Sequence, residues 1–473
     1  MTGTPVDSFV RDRLPPPDQQ PEFLFDRPEL HYPERLNAAV ELVDTAVADG
    51  EGDRLAILND AGQWTYAELK DLSDRIARLL VEQEGLVPGN RVLLRGPNGA
   101  MLFASWLAVL KAGGVVVATM PILRPGEIAI ILERAQIRHA IVDARTLDDF
   151  AIAAAQTGLG GSLLTYDGDS GKGALEARLK DVPAGFQAVD THRDDVALIA
   201  FTSGTTGEPK GCVHYHRDIL APADAFAGNL LAPLPGDRWA CSAPIAFTFG
   251  LGMLLIFPFR FRGTAVTIAQ PGPQAMLEAI TRHGVTNLAT APTAYKAMLA
   301  LLPDHDIRTL RICVSAGEHL PPASWHAWRD ATGLAIVDGI GATELMHIFI
   351  SASGPDIRPG ATGKAVPGYQ ACVLDERGGA MREGVGRLAV KGPTGCRYFD
   401  DPRQSDYVVN GWNVTGDTYR ADADGYFWYV ARSDDMIVSS GYNIAAPEVE
   451  NALYSHPTVQ ECAVVGVPCA ERG

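Results

Sequence analysis

The chain has 473 residues, enough for about three domains of roughly 150 residues or for one large α/β unit with smaller parts. Hydrophobic residues make up 47% and charged residues 21%, which excludes a disordered chain and allows a large buried core. The net charge is −17, from 40 basic and 57 acidic residues, and no basic run offsets it. That argues against a nucleic-acid partner but leaves room for a local site that takes a small phosphate ligand.

Residues 1 to about 35 read as an irregular, Pro-rich arm with no apolar signal-peptide core. Thr65 and Glu68 form a capping box, and Leu69, Leu72, Ile76, Leu79 and Leu80 follow at helical spacing. The longest apolar stretch, Phe103 to Leu123, is broken by Lys111, Gly113 and Gly114. It reads as a helix followed by a strand and not as a membrane span, so the expectation is a cytoplasmic protein with no membrane partner. Strands are expected at Arg91–Arg95, Gly114–Thr119, His139–Asp143, Val196–Phe201, Val285–Thr290, Arg311–Ser315 and Ala335–Asp338. Their alternation with helical stretches predicts βαβ units and mostly parallel sheets.

Beyond about residue 360, short alternating segments (Gln370–Asp375, Arg387–Lys391, Tyr426–Val430) predict an antiparallel β subdomain that runs to about 433. A last unit is expected from Asp434 to Gly473, with a helix starting at Pro447-Glu448 and a strand over Glu461–Val467. The fold class is therefore α/β: a large domain over 1–433 with two mostly parallel α/β sheet subdomains plus a small β subdomain, then the start of a small α+β domain over 434–473. Seven scattered cysteines without a CxxC pair argue against a disulfide framework or a zinc knuckle.

Ligands of open parallel sheets bind at the carboxyl ends of strands. Three apolar runs here end in polar or glycine clusters: Thr202–Gly211, Ser315–Glu318 and Asp338–Glu344. In the first, Gly204, Gly207 and Gly211 permit tight turns, Ser203, Thr205 and Thr206 supply hydroxyls, and Lys210 adds a positive charge. That mixture suits a polyphosphate, although it is not a Walker loop. Taken singly, the other residues have plainer readings. Glu344 could cap a helix start, Asp417 could be a turn residue after Gly416, and Arg432 could be a solvated charge.

Thr202–Gly211 resembles the phosphate-loop signature of the adenylate-forming superfamily: acyl- and aryl-CoA ligases, luciferases and peptide-synthetase adenylation domains. Gly339-Ile-Gly-Ala-Thr-Glu344 resembles its Gly-x-Thr-Glu motif, Trp412–Asp417 its ribose-binding motif, and Arg432–Ile437 with Ser440-Gly441 its hinge. The four occur in the family's order. The resemblance implies ATP and Mg²⁺ as cofactors, a carboxylate that is adenylated with release of pyrophosphate, and coenzyme A as the thiol that takes the acyl group. It implies that Thr202, Ser203, Gly204, Thr205, Thr206, Gly207 and Lys210 hold the β/γ-phosphates and that Thr343 contacts the α-phosphate. It makes Glu344 the Mg²⁺ ligand, and Asp417 and Arg432 the ribose side of the site. Asp338, Gly317, Gly339 and Ile340 would line the adenine slot, and Asp434 would be the hinge. The family's usual aromatic before Gly-x-Thr-Glu is Ile340 here, Ala431 replaces the glycine before the hinge arginine, and Val438 stands where many members have lysine.

The Asp338–His347 pattern and Pro244–Gly252 resemble benzoate- and 2-aminobenzoate-CoA ligases in particular. That implies a pocket from Ala246, Phe247, Phe249, Gly339, Gly341 and His347, the last placed about one helical turn past Glu344. Met346 and Phe349 read as core. His214 and His216 read as core histidines as readily as site residues. Pro244–Gly252 carries no acidic residue to hold an α-ammonium, which argues against an amino-acid substrate. A fatty-acid ligase, a luciferase-type oxygenase and a non-catalytic nucleotide-binding paralogue remain as alternatives. The family's C-terminal catalytic lysine has no assignable counterpart before Gly473, so this reading expects a truncated last domain. A homodimer is compatible with it.

Overall fold

The computed structural model describes residues 5–158, 161–202, 209–432, 437–439, 442–444, 446–454, 459 and 462–467. Three large sheets organise them. The first has the order Ser162–Tyr166, His139–Asp143, Arg91–Arg95, Val115–Thr119, Val196–Thr202, Lys210–Tyr215. Its pairs are parallel except the last, an antiparallel hairpin in which Thr202 pairs with Lys210. The second is longer, and its centre is the parallel set Ile336–Gly341, Ile312–Ser315, Asn287–Thr290, Arg238–Cys241, Thr264–Val266 and Leu55–Asn59. The third is antiparallel and is built on Gln370–Leu374, Gly384–Lys391, Trp412–Ala421 and Phe427–Arg432. The mixed α/β class with two mostly parallel sheets and a small antiparallel sheet is the one expected.

Local chemistry explains many of these elements. The Thr65 hydroxyl accepts from the Glu68 amide while the Glu68 carboxylate accepts from the Thr65 amide, and the helix Tyr66–Glu82 starts there. Leu69, Ile76, Leu79 and Leu80 on its inner face are buried. The helix Ala100–Lys111 is buried all round, which accounts for its unbroken apolar run. Lys111, at its end, is fully buried and pairs with Asp44 and Asp74 at 2.6 Å each.

Two expectations need correction. The segment after Glu344 is not helical: a short 3₁₀ turn, Thr343–Leu345, gives way to the strand Ile348–Ser351. Met346 at φ 68° turns the chain between them, and the β-branched Ile348 and Ile350 favour the extended backbone that follows. Of the strand expected over Glu461–Val467, residues 462–467 are described and form none. The strand Lys210–Tyr215, which closes the hairpin, is an element that the sequence pattern does not predict. The N-terminal arm is irregular, as expected, but firmly docked: the Glu22 and Leu24 amides donate to the Gly411 and Gly392 carbonyls beside the antiparallel sheet.

Candidate active site

The expected site residues come from all three sheets. Ile312–Ser315 and Ile336–Gly341 run parallel, with Ser315 paired to Asp338, so their carboxyl ends present Gly317 and Asp338 together. Gly317 has φ 91° and open space where a Cβ would stand, so the backbone there is bare to a ligand. Asp338 keeps part of its surface exposed, but its Oδ1 is buried and makes no hydrogen bond. Burial pushes the Asp338 carboxyl up to about 8, with the Gly339 amide and the Ser315 hydroxyl acting in the opposite sense. Ile340 is half-buried against the main core.

Thr343 and Glu344 occupy the 3₁₀ turn, and three side chains hold it. His214, on the hairpin strand, contacts the Thr343 carbonyl through Nε2 at 2.8 Å. Thr394 donates to the Leu345 carbonyl at 2.7 Å. Tyr398 donates to Glu344 Oε1 at 2.5 Å. Burial pushes the His214 imidazole down to about 4, so it is neutral, and Nε2 must carry the proton because a carbonyl only accepts. Lys210 enters from the same hairpin and reaches the Tyr398 hydroxyl at 3.4 Å. No motif marks Tyr398 or Thr394; only the fold brings them to the turn. His216 is also buried, and its Nδ1 accepts from the Ala38 amide, a structural role.

On the antiparallel sheet, Asp417 stands opposite Arg432 in register, and Arg432 Nη1 lies 3.2 Å from Asp417 Oδ1. Gly416 has φ 78°, a backbone that favours glycine before the aspartate. Ser203, Gly204, Thr205, Thr206, Gly207 and Asp434 lie outside the described residues, while Thr202 and Lys210 bracket the loop.

His347 is buried and boxed by aromatic rings. Its centroid is 4.6 Å from Phe257, 5.7 Å from Phe249 and 5.8 Å from Phe226. Its Nε2 contacts the Phe249 carbonyl at 3.3 Å, so Nδ1 carries the lone pair and has no partner. Burial pushes this imidazole down to about 3. A Cβ on Gly252 would land on the His347 ring, and one on Gly341 would press on the His347 backbone at 2.9 Å. Ala246 is half-buried and Phe247 is exposed, so Phe249 is the member of that segment that meets His347. Met346 and Phe349 are buried in the core.

The donor set fits a nucleotide with Mg²⁺. Asp338 offers an unused acceptor to a base, Asp417 a carboxylate to hydroxyls, and Glu344 a second oxygen beyond the one bound to Tyr398. Among the described residues no three His, Cys, Asp or Glu side chains group closely enough to hold a metal by themselves. A hard cation at Glu344 would therefore complete its shell with phosphate oxygens and water.

Comparison with known proteins gives the family of the chain. Residues 44–398 match the family model described as AMP-binding enzyme, and residues 448–473 match that of the AMP-binding enzyme C-terminal domain. A benzoate–CoA ligase of Thauera aromatica is 35% identical over 446 residues, which cover 93% of this chain and 84% of that protein. The crystal structure of the anthranilate CoA ligase AuaEII in complex with anthranoyl-AMP superposes with a TM-score of 0.87 at 33% identity, covering 93% of this chain and 86% of the other. ATP-bound MatB from Rhodopseudomonas palustris superposes with a TM-score of 0.85 at 29% identity, covering 93% and 87%. The chain belongs to the AMP-binding enzyme family.

Proposed function

We propose that this protein is an AMP-forming aryl acid–CoA ligase that activates benzoate or 2-aminobenzoate with ATP and passes the aryl group to the thiol of coenzyme A. The observation that supports the substrate class is the aromatic surround of His347: Phe226, Phe249 and Phe257 pack against a buried, neutral imidazole. An aromatic surround with few polar groups suits a flat aryl acid. A zwitterionic amino acid would bury an unpaired ammonium there, at a cost.

Adenylation joins two anions, so the protein must neutralise charge and align the carboxylate with the α-phosphate. In this reading Lys210, Thr202 and the adjoining loop hold the β/γ-phosphates, and Thr343 holds the α-phosphate. Asp338, Gly317, Gly339 and Ile340 seat adenine, and Asp417 with Arg432 seats ribose. Glu344 takes Mg²⁺, which when bound supplies positive charge to the phosphates. Asp434 is assigned as the hinge that lets the C-terminal segment serve both half-reactions. The test is pyrophosphate release over a panel of benzoates, 2-aminobenzoate, fatty acids and amino acids. An aryl acid should be preferred; preference for a medium-chain fatty acid or an α-amino acid would remove the assignment.

A further inference from the structure

We propose that Tyr398 is a positioning residue whose hydroxyl stands between Lys210 and Glu344 and keeps the two from pairing with each other. The proposal rests on the reading of Lys210 as a phosphate contact and Glu344 as the metal ligand. The chemistry of the groups fixes the direction of both hydrogen bonds. A carboxylate only accepts, so the phenolic proton points to Glu344 Oε1, at 2.5 Å. An ammonium only donates, so Lys210 gives an N–H to the phenol oxygen, at 3.4 Å. One hydroxyl thus occupies one oxygen of Glu344 and one proton of Lys210 while it holds the two charges apart.

The phenol is built into its place. Tyr398 is 1% exposed and packs with Cys212 and Cys396. Its ring meets Tyr407 edge-on at 5.6 Å, and its amide donates to Gln404 Oε1 at 2.8 Å. A β-bridge to Cys212 ties it to the strand that carries Lys210. The neighbouring Arg397 is fully buried and donates to Asp218 at 2.7 Å, so the backbone around Tyr398 is anchored on both sides. The ammonium has a long flexible stem, and in a partly dry site its attraction to a carboxylate is strong. Without the hydroxyl, Lys210 can fold onto Glu344. The lysine would then be withdrawn from phosphate and the glutamate from the metal.

The test is calorimetric binding of ATP with Mg²⁺ and with a chelator instead. Phenylalanine at 398 keeps the ring and its packing and removes only the hydroxyl. In Tyr398→Phe, ATP affinity in Mg²⁺ should fall about tenfold, as for loss of a hydrogen bond to a charged group, and the tightening caused by Mg²⁺ should largely disappear. The damage needs Lys210. In a Lys210→Met background, where ATP binds more weakly throughout, adding Tyr398→Phe should leave the Mg²⁺ response unchanged. An unaltered Mg²⁺ response in Tyr398→Phe overturns the proposal, and so does an equal loss of that response in both backgrounds. If Tyr398→Phe does not fold alone, the comparison within the Lys210→Met background decides the matter. If Glu344→Gln leaves the Mg²⁺ response of the wild-type chain intact, it is the assignment of Glu344 that fails and not the spacer role.

Discussion

Asp417 and Arg432 face each other across two antiparallel strands, joined by one hydrogen bond of 3.2 Å, with the aspartate buried and the arginine half-exposed. Burial holds the Asp417 carboxyl above the usual carboxylate range while Arg432 pulls it back. An ion pair with one exposed member contributes little to stability. In the proposed site this carboxylate would accept from the ribose hydroxyls.

Asp417→Asn should therefore leave folding almost unchanged and weaken ATP binding by on the order of tenfold or more, the loss of a charged acceptor for the ribose hydroxyls. Thermal unfolding and calorimetry on the same variant separate the two effects. A large fall in melting temperature with ATP affinity preserved would assign the pair to structure alone.

Glu344→Gln should preserve the fold and slow adenylation by about 100-fold, equivalent to about 3 kcal/mol of transition-state stabilisation. Pyrophosphate release at saturating ATP and Mg²⁺ measures it. Unchanged turnover would remove Glu344 from the site.

Asp338 gives a pH dependence of known sign. Its carboxyl sits at about 8 in the folded chain, against about 4 when unfolded. Between those values the folded state binds a proton that the unfolded state has lost, so stability falls as pH rises through the window. Asp338→Asn has no such proton. Its melting temperature should be less sensitive to pH between 5 and 9, and at pH 9 the variant should exceed wild type by on the order of a few kcal/mol. Parallel melting curves for the two proteins across that range would refute the shift.

Gly252→Ala tests the aromatic box. The added methyl group occupies the space of the His347 ring and presses on Phe257, so the packing of His347 against Phe257 and Phe249 must change. We expect kcat/KM for the aryl acid to fall about tenfold or more, while ATP affinity stays within about twofold. A variant that loses ATP binding instead would place His347 on the nucleotide side.

Lys111→Met should destabilise the fold by up to about 3 kcal/mol, because it removes the fully buried ammonium between Asp44 and Asp74 and leaves only the partly exposed Lys70, 2.5 Å from Asp74, to offset them. Chemical denaturation measures this. A neutral result would mean that the two carboxylates take up protons at little cost, and a pH titration of the variant would then show it.

The elements that local rules control are legible in the residues. Arg91–Arg95 and His139–Asp143 read as strands because they are short apolar runs, with β-branched Val92, Ile141 and Val142, that the sheet buries on both faces, and Thr65 starts a helix because its side chain satisfies an orphan amide. The Gly-rich, Thr-Glu and Gly-Asp motifs, in their order, carry the resemblance to the AMP-binding enzyme family, to which the chain belongs. Distances across the fold decide the rest. Lys111 interrupts an apolar stretch in the sequence, and only the packed chain supplies Asp44 and Asp74 to neutralise it. His347 reads as a helical neighbour of Glu344, yet Met346 turns the chain and sends it into a strand beside three phenylalanines. Tyr398 carries no signal, since its contacts depend on Lys210, from the hairpin strand, and Glu344, from the 3₁₀ turn, meeting at one oxygen. Propensity and periodicity act over a few residues, whereas hydrogen-bond partners and buried charge pairs are chosen by whatever the tertiary fold sets within about 3 Å.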